Sequence, residues 1–355
     1  MSRIAILLCL CMGVAFVLPT NAGAQLSVQD DAIAAGSDPA RLVRIRAAEM
    51  PEITEPVLFH TPEADAILAA FEVFPPENAF NQVIEDWPLH PNSASIVASV
   101  GADKPLRYNP DMGFIIVPPD QELVDVQLVG YPGESDPGPY PVPENVPIEG
   151  WPVWHQRSSE TPPTLEEVQQ RPPAYEGDRH AIVVDPTRGK LYEFFVMGRT
   201  EDGWAADQAS IFDLKTGEAR PDGWTSADAA GLPIFPAVVS YDEIERGIVE
   251  HAMRVTIRRT RRAYVAPATH YASQLTDEDL PRMGERFRLR ADFDVSGFSP
   301  PVQAILRGLQ KYGLLVADNG IEWAISVAPD PRIPVLHEEL RRIRGSDFEV
   351  VVAPE

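Results

Sequence analysis

Three histidines in the second half of the chain invite a chemical reading, because imidazole exchanges a proton near neutral pH. His180 closes the run Asp178-Arg-His180, His251 sits on the apolar side of an alternating segment, and His270 lies in Ala266-Pro-Ala-Thr-His-Tyr271. Each has the chemistry of a general acid or base. Carboxylates supply a second theme. Asp228, Glu243, Asp294 and Asp318 are candidates for the pair, about 5–10 Å apart, that glycoside hydrolysis requires. With 53 acidic residues in 355, however, such pairs also arise by chance. Arg254, Arg288 and Arg290 carry planar guanidinium forks that suit a substrate carboxylate. With Trp224, which can stack on a sugar ring, and Asp294, they form a substrate-binding set. In a polysaccharide lyase, Arg254 or Arg288 would neutralise a uronate while His251 or His270 acts as base. Catalysis itself is assigned to His180, His251, His270, Asp228 and Glu243.

Other chemistries lack their signatures. The sequence has no HExxH spacing, so no metal centre is expected. It has no P-loop and no GxGxxG, so no cofactor is expected, and no GxSxG nucleophile elbow. Both cysteines, Cys9 and Cys11, fall in the leader described below, leaving no thiolate ligand and no disulfide after its removal.

Strands and tight loops must position these groups. His180–Asp185 and Lys190–Val196 flank the turn Pro186-Thr-Arg-Gly189 and predict a hairpin. Leu314–Ala317 and Glu322–Val327 flank Asp318-Asn-Gly320 and predict a second, since Asn-Gly supplies positive φ angles. Further strands are expected at 113–117, 123–129, 210–214, 247–258 and 286–294. In 286–294, Phe287, Leu289, Ala291 and Phe293 alternate with Arg286, Arg288, Arg290 and Asp292. The charged side reads as a solvated face, or as a concave sheet turned towards an acidic sugar.

Helices are expected over 62–74, 93–100, 300–312 and 334–344. The third starts from Ser299 with Pro300 and Pro301 in its first turn and stops at Gly313. The loop Arg220-Pro-Asp-Gly-Trp-Thr-Ser-Ala-Asp-Ala-Ala-Gly-Leu-Pro233 is rich in small residues and reads as a ligand loop or as a tightly packed structural one. Many strands, few helices and no strand–helix alternation predict a mainly β protein, a β-sandwich or jelly-roll-like core with a few peripheral helices.

The N-terminus carries Arg3, an apolar run from Ile4 to Pro19 and the small residues Ala22-Gly23-Ala24, the pattern of a secretory signal peptide cleaved after Ala24. The division expected is a signal peptide over 1–24, a flexible arm over 25–60 and one β-rich domain over 61–355 with a loop-rich middle at 130–177. The product is secreted or periplasmic, with no membrane span after cleavage. The net charge is −23, or −24 once Arg3 leaves. That field repels nucleic acid and anionic lipid. The 36 prolines fall mostly between apolar runs and read as loop punctuation.

Five segments carry a resemblance: Asp178-Arg-His-Ala-Ile-Val-Val-Asp185, the loop Arg220–Pro233, Gly247-Ile-Val-Glu-His-Ala-Met-Arg254, Met283-Gly-Glu-Arg-Phe-Arg-Leu-Arg290 and Leu309-Gln-Lys-Tyr-Gly-Leu-Leu-Val-Ala-Asp-Asn-Gly320. Together they resemble a family of secreted bacterial proteins. A weaker match runs through Phe74–Asn81 and His90–Ser93. The resemblance implies secretion and a single extended domain, and no reaction. The first functional reading is an exported carbohydrate-active enzyme, a glycan hydrolase or lyase with a cleft lined by His, Arg and Asp. The second is a non-catalytic glycan-binding or envelope-associated protein. The partner in either case is a polysaccharide or other envelope glycan.

Overall fold

The computed structural model describes residues 36–170 and 177–354. The expected signal peptide, its cleavage point after Ala24 and the arm as far as residue 35 lie outside the described residues. In chain order the helices are α1 (Pro39–Ala47), α2 (Pro62–Ala70), α3 (Ser93–Val100), α4 (Val153–Ser158), α5 (Leu165–Gln169), α6 (Tyr241–Arg246), α7 (Pro300–Lys311) and α8 (His337–Leu340). The strands are β1 (Val57–Leu58), β2 (Arg107–Pro110), β3 (Ile115–Ile116), β4 (Val126–Leu128), β5 (Ala181–Asp185), β6 (Lys190–Phe195) and β7 (Gly198–Thr200). They continue as β8 (Gly203–Ala206), β9 (Gln208–Asp213), β10 (Met253–Thr256), β11 (Arg286–Leu289), β12 (Leu314–Asp318), β13 (Ala324–Val327) and β14 (Phe348–Val351).

These strands build three mixed sheets, ordered β1-β3-β5-β6-β9, β14-β11-β12-β10-β13-β2 and β4-β8-β7. Four pairs are parallel: β10 with β12, β13 with β2, β3 with β5, and β4 with β8. Helix and strand take nearly equal shares, 22% and 21%. The architecture is therefore mixed α/β, and the expected β-sandwich or jelly roll is overturned. Alternation along a strand shows that it is a strand but not which strand lies beside it. Here β2 and β13 pair across more than 200 residues of chain, a partnership with no local trace.

The first hairpin forms as expected: β5 pairs β6 from Ala181↔Phe194 to Asp185↔Lys190. The second does not. Strand β10 inserts between β12 and β13, pairing parallel to one and antiparallel to the other. The Asn319 side chain holds the intervening turn open by donating to Ile257 O and Thr260 Oγ1, both at 3.0 Å, just past β10.

Strands β5, β10, β11 and β13 are buried along their whole length. That is the pattern of a sheet covered on both sides. It removes the solvated arginine face expected over 286–294. Arg286 donates to Tyr312 O and Ala79 O, and Arg288 to Glu349, Ile84 O and Glu85 O. Helix α7 lays Val302, Ile305, Leu306 and Leu309 into the core as its stripe predicts. Tyr312 follows at the cap, and Gly313 at φ +71° ends the helix. A Cβ on Gly313 would sit 2.2 Å from Phe287 O.

Candidate active site

Burying charge without a partner is prohibitive, so a charged cluster inside a fold must be internally matched. One such cluster lies where β5, β10, β12 and β13 meet the Arg220–Pro233 loop. On β10, Arg254 donates from Nε and Nη2 to the two Asp228 oxygens at 2.8 and 2.7 Å, and from Nη1 to Ser326 Oγ on β13 at 2.7 Å. The side chains of Arg254 and Asp228 are 4% and 0% exposed. Burial opposes the arginine's charge, but Asp228 holds it more firmly protonated than usual. Ser326 also hydrogen-bonds Asp111, which follows β2. Burial, with Glu149 nearby, pushes the Asp111 carboxyl up to about 7.

His180, at the entry to β5, is buried. Its Nε2 lies 2.9 Å from Ala227 O, a group that can only accept. Its Nδ1 lies 3.4 Å from Glu149 Oε2, an ion-pair distance too loosely directed for a strong hydrogen bond. Burial alone would lower this imidazole, yet the carboxylates of Glu149 and Asp178 raise it to about 9. His180 is thus an imidazolium locked into the wall. Glu193 on β6 is pushed up to about 7 by burial while it accepts from the amides of Ile234 and Phe235 at 2.8–2.9 Å. It pins a turn rather than facing a ligand.

Above this cluster opens a cleft of about 270 Å³. Tyr131 and Phe195 form an aromatic wall, with ring centroids 6.5 Å apart. Asp178, Asp318, Asn319 and His270 line the cleft with Glu134 and Ser226. Asp318 ends β12 and accepts from Asn319 N at 2.6 Å. Burial, Asp228 and Asp178 push its carboxyl up to about 7, with Arg254 opposing. Asp178 stands at the exposed rim. Desolvation by the protein beside its carboxyl raises it, with Glu149 and Asp228 adding to the rise while His180 and Arg254 oppose it. His270 Nδ1 lies 2.8 Å from Ala229 O, a group that can only accept, so Nδ1 carries a proton directed at it. No Lys or Arg side chain lines this cleft among the described residues.

Arg220 anchors the segment that follows Tyr131. Its side chain, 2% exposed, donates to Asp136 Oδ2 at 2.5 Å, to Glu134 O at 2.7 Å and to Thr225 O at 2.7 Å. It thereby ties the loop-rich middle to the Arg220–Pro233 loop. That loop is tightly packed: a Cβ on Gly231, at φ +73°, would lie 2.1 Å from Thr269 Oγ1. Ala230 N donates to Ala317 O of β12 at 2.9 Å, setting the loop against the strand that delivers Asp318.

The residues singled out from sequence do not all meet. His180, Asp228 and Arg254 converge under the cleft floor, and His270 and Asp318 reach the cleft itself. His251 and Glu243 pair with each other at 3.1 Å in a different cavity. Trp224 packs beside Arg220 and does not line the cleft. Arg288 is consumed by Glu349 and backbone carbonyls, Arg290 is exposed beside Asp292, and Asp294 is exposed and accepts from Ser296 N at 2.8 Å. Sequence reasoning did not single out Glu149, Asp111, Tyr131, Phe195 or Asn319 as site residues. Glu149 and Tyr131 lie in the loop-rich middle, whose length was the one available signal.

Among the described residues, no group of three or more His, Asp or Glu side chains is arranged to hold a metal ion. No described helix is long and apolar enough to cross a membrane. No protein-family model matches the chain, and neither a curated protein nor a solved structure matches it.

Proposed function

We propose that the cleft between Tyr131, Phe195, Asp178, His270 and Asp318 is the active site of an exported hydrolase that cleaves a neutral glycan by general acid–base catalysis. The observation that carries this reading is that two carboxyl groups, Asp318 and Asp178, share one cleft and are both held above the ordinary carboxylate range. Titratable groups perturbed by burial and by one another in a cleft are the mark of proton-transfer chemistry. Asp318, which keeps its proton up to about pH 7, is the acid. Its proton passes to the leaving oxygen as the glycosidic C–O bond breaks. Water supplies the new C–O bond, and its proton goes to Asp178 as base. His270 is placed to hydrogen-bond a substrate hydroxyl, and Tyr131 and Phe195 offer faces for a sugar ring.

Hydrolysis is favoured over the lyase alternative by the arginines. Arg254 and Arg288 are saturated by protein acceptors, so neither is free to neutralise a uronate. The acidic cleft likewise disfavours an anionic sugar. The leader sequence supports export.

The test is reducing-end release from a panel of neutral and acidic polysaccharides by the purified chain. Release from a neutral polymer, abolished in Asp318→Asn, supports the reading. Unsaturated products would point to a lyase instead. Binding without turnover would point to a glycan-binding module.

A further inference from the structure

A second cavity, of about 80 Å³, lies away from the cleft, lined by residues of α1, α2 and α6. It holds four cationic side chains, Arg41, Arg44, Arg246 and His251, and three acidic ones, Asp242, Glu243 and Glu250. The acids are all matched. Glu250 takes Arg44, and Asp242 takes Arg246 at 2.8 Å. Glu243 takes His251 Nε2 at 3.1 Å and the amides of Ser240 and Glu250. His251 Nδ1 faces Ala252 O at 3.1 Å, so both ring nitrogens meet acceptors and the imidazole is a cation.

Arg41 is left over. It is 7% exposed and lines the cavity, and its guanidinium makes no hydrogen bond or ion pair among the described residues. Burial weakens its hold on the proton, opposed by Tyr312, Glu250 and Glu243 through space without a hydrogen bond to any of them. An unmatched buried arginine is among the most expensive groups a fold can carry. Its position is nevertheless fixed. Asp38, at the N-cap of α1, accepts from Lys311 at 2.6 Å and Tyr312 at 2.7 Å, and Arg44 donates to Ala69 O at 3.2 Å. Three carboxylates against four cations leave one positive charge facing a cavity with room for several waters or one small oxyanion.

We infer that this cavity is a binding site for a small oxyanion, held by the Arg41 fork with Arg44 and His251 beside it. Arginine's planar donors match such an anion bidentately. The occupant ties α1 to the body of the fold, because α1 carries the arginine it binds.

Calorimetric titration of the purified chain with inorganic phosphate in a zwitterionic buffer tests this. Acetate and chloride serve as parallel probes and separate oxyanion from simple halide binding. One saturable equivalent of phosphate or acetate is expected, weakened more than tenfold in Arg41→Met and to a smaller degree in Arg41→Lys. No saturable binding of either oxyanion, or equal affinity in Arg41→Met, overturns the inference. Should Arg41→Met not fold, hydrogen exchange decides on the unmodified protein: phosphate slows exchange of the α1 amides if the site exists, and unchanged exchange refutes it.

Discussion

Removing one partner of the Arg254–Asp228 pair is the sharpest test of how the cleft floor is built. Both side chains are nearly inaccessible, and three hydrogen bonds of 2.7–2.8 Å bind the guanidinium. In Arg254→Met the Asp228 carboxylate stays in a dry site with no cation. In Asp228→Asn the arginine stays with a neutral acceptor. Breaking a buried pair from one side costs about 3–5 kcal/mol. For a chain of 355 residues, the usual unfolding entropy per residue turns this into a fall in Tm of about 4–7 °C. The double variant Arg254→Met with Asp228→Asn removes both charges and should recover at least about 2 kcal/mol relative to the sum of the singles. Asp228→Asn also deletes one of the anions that raise Asp318 and leaves Arg254 unopposed, so Asp318 should release its proton at lower pH. Denaturant melts at fixed pH measure the stabilities, and a double-mutant cycle gives the coupling. A loss below about 1 kcal/mol in both singles, or simple additivity, would refute the reasoning. It would mean that water or relaxation compensates the charge.

Three further outcomes follow from the same structure. Asp318→Asn should lower glycan hydrolysis by about 10²–10⁴-fold, and in the unaltered protein kcat should fall as pH rises through about 7. Because burial and neighbouring anions raise this carboxyl, its ionisation removes stability between pH 4 and 7. Asp318→Asn should therefore be at least as stable as the parent at pH 8 in a thermal melt. His180 is shifted the other way in charge: raised to about 9, it contributes stability in full below about pH 6.5 that disappears as pH rises through 9. That contribution is on the order of 1–3 kcal/mol, and His180→Gln should flatten stability against pH over this window. Gly231→Ala should cost about 2–4 kcal/mol, from a positive φ angle together with a 2.1 Å clash on Thr269. An unchanged Tm would refute the close packing of that loop.

Local chemistry was legible in the sequence wherever a residue's neighbours along the chain decide its state. The hairpin of β5 and β6, helix α3, and helix α7 with its stop at Gly313 all follow from alternation, periodicity and turn residues. Helix α1 shows where such reading stops short. It lies in a segment read as a flexible arm, and it is held by Lys311, Tyr312 and Glu250, more than 200 residues away.

The site followed the same division. Asp228, Arg254 and His180 could be named from sequence, but not their relation, because Asp228 sits on a loop and Arg254 on a strand. Only tertiary structure decided that β10 lies between β12 and β13 rather than outside a hairpin. That choice buried Arg254 beside Asp228, left Asp318 at a cleft edge, and placed His251 and Glu243 in another cavity altogether. The physical reason is that sequence determines only which groups can ionise. Whether a charge meets water, a partner or a substrate depends on which distant strands are stacked beside it.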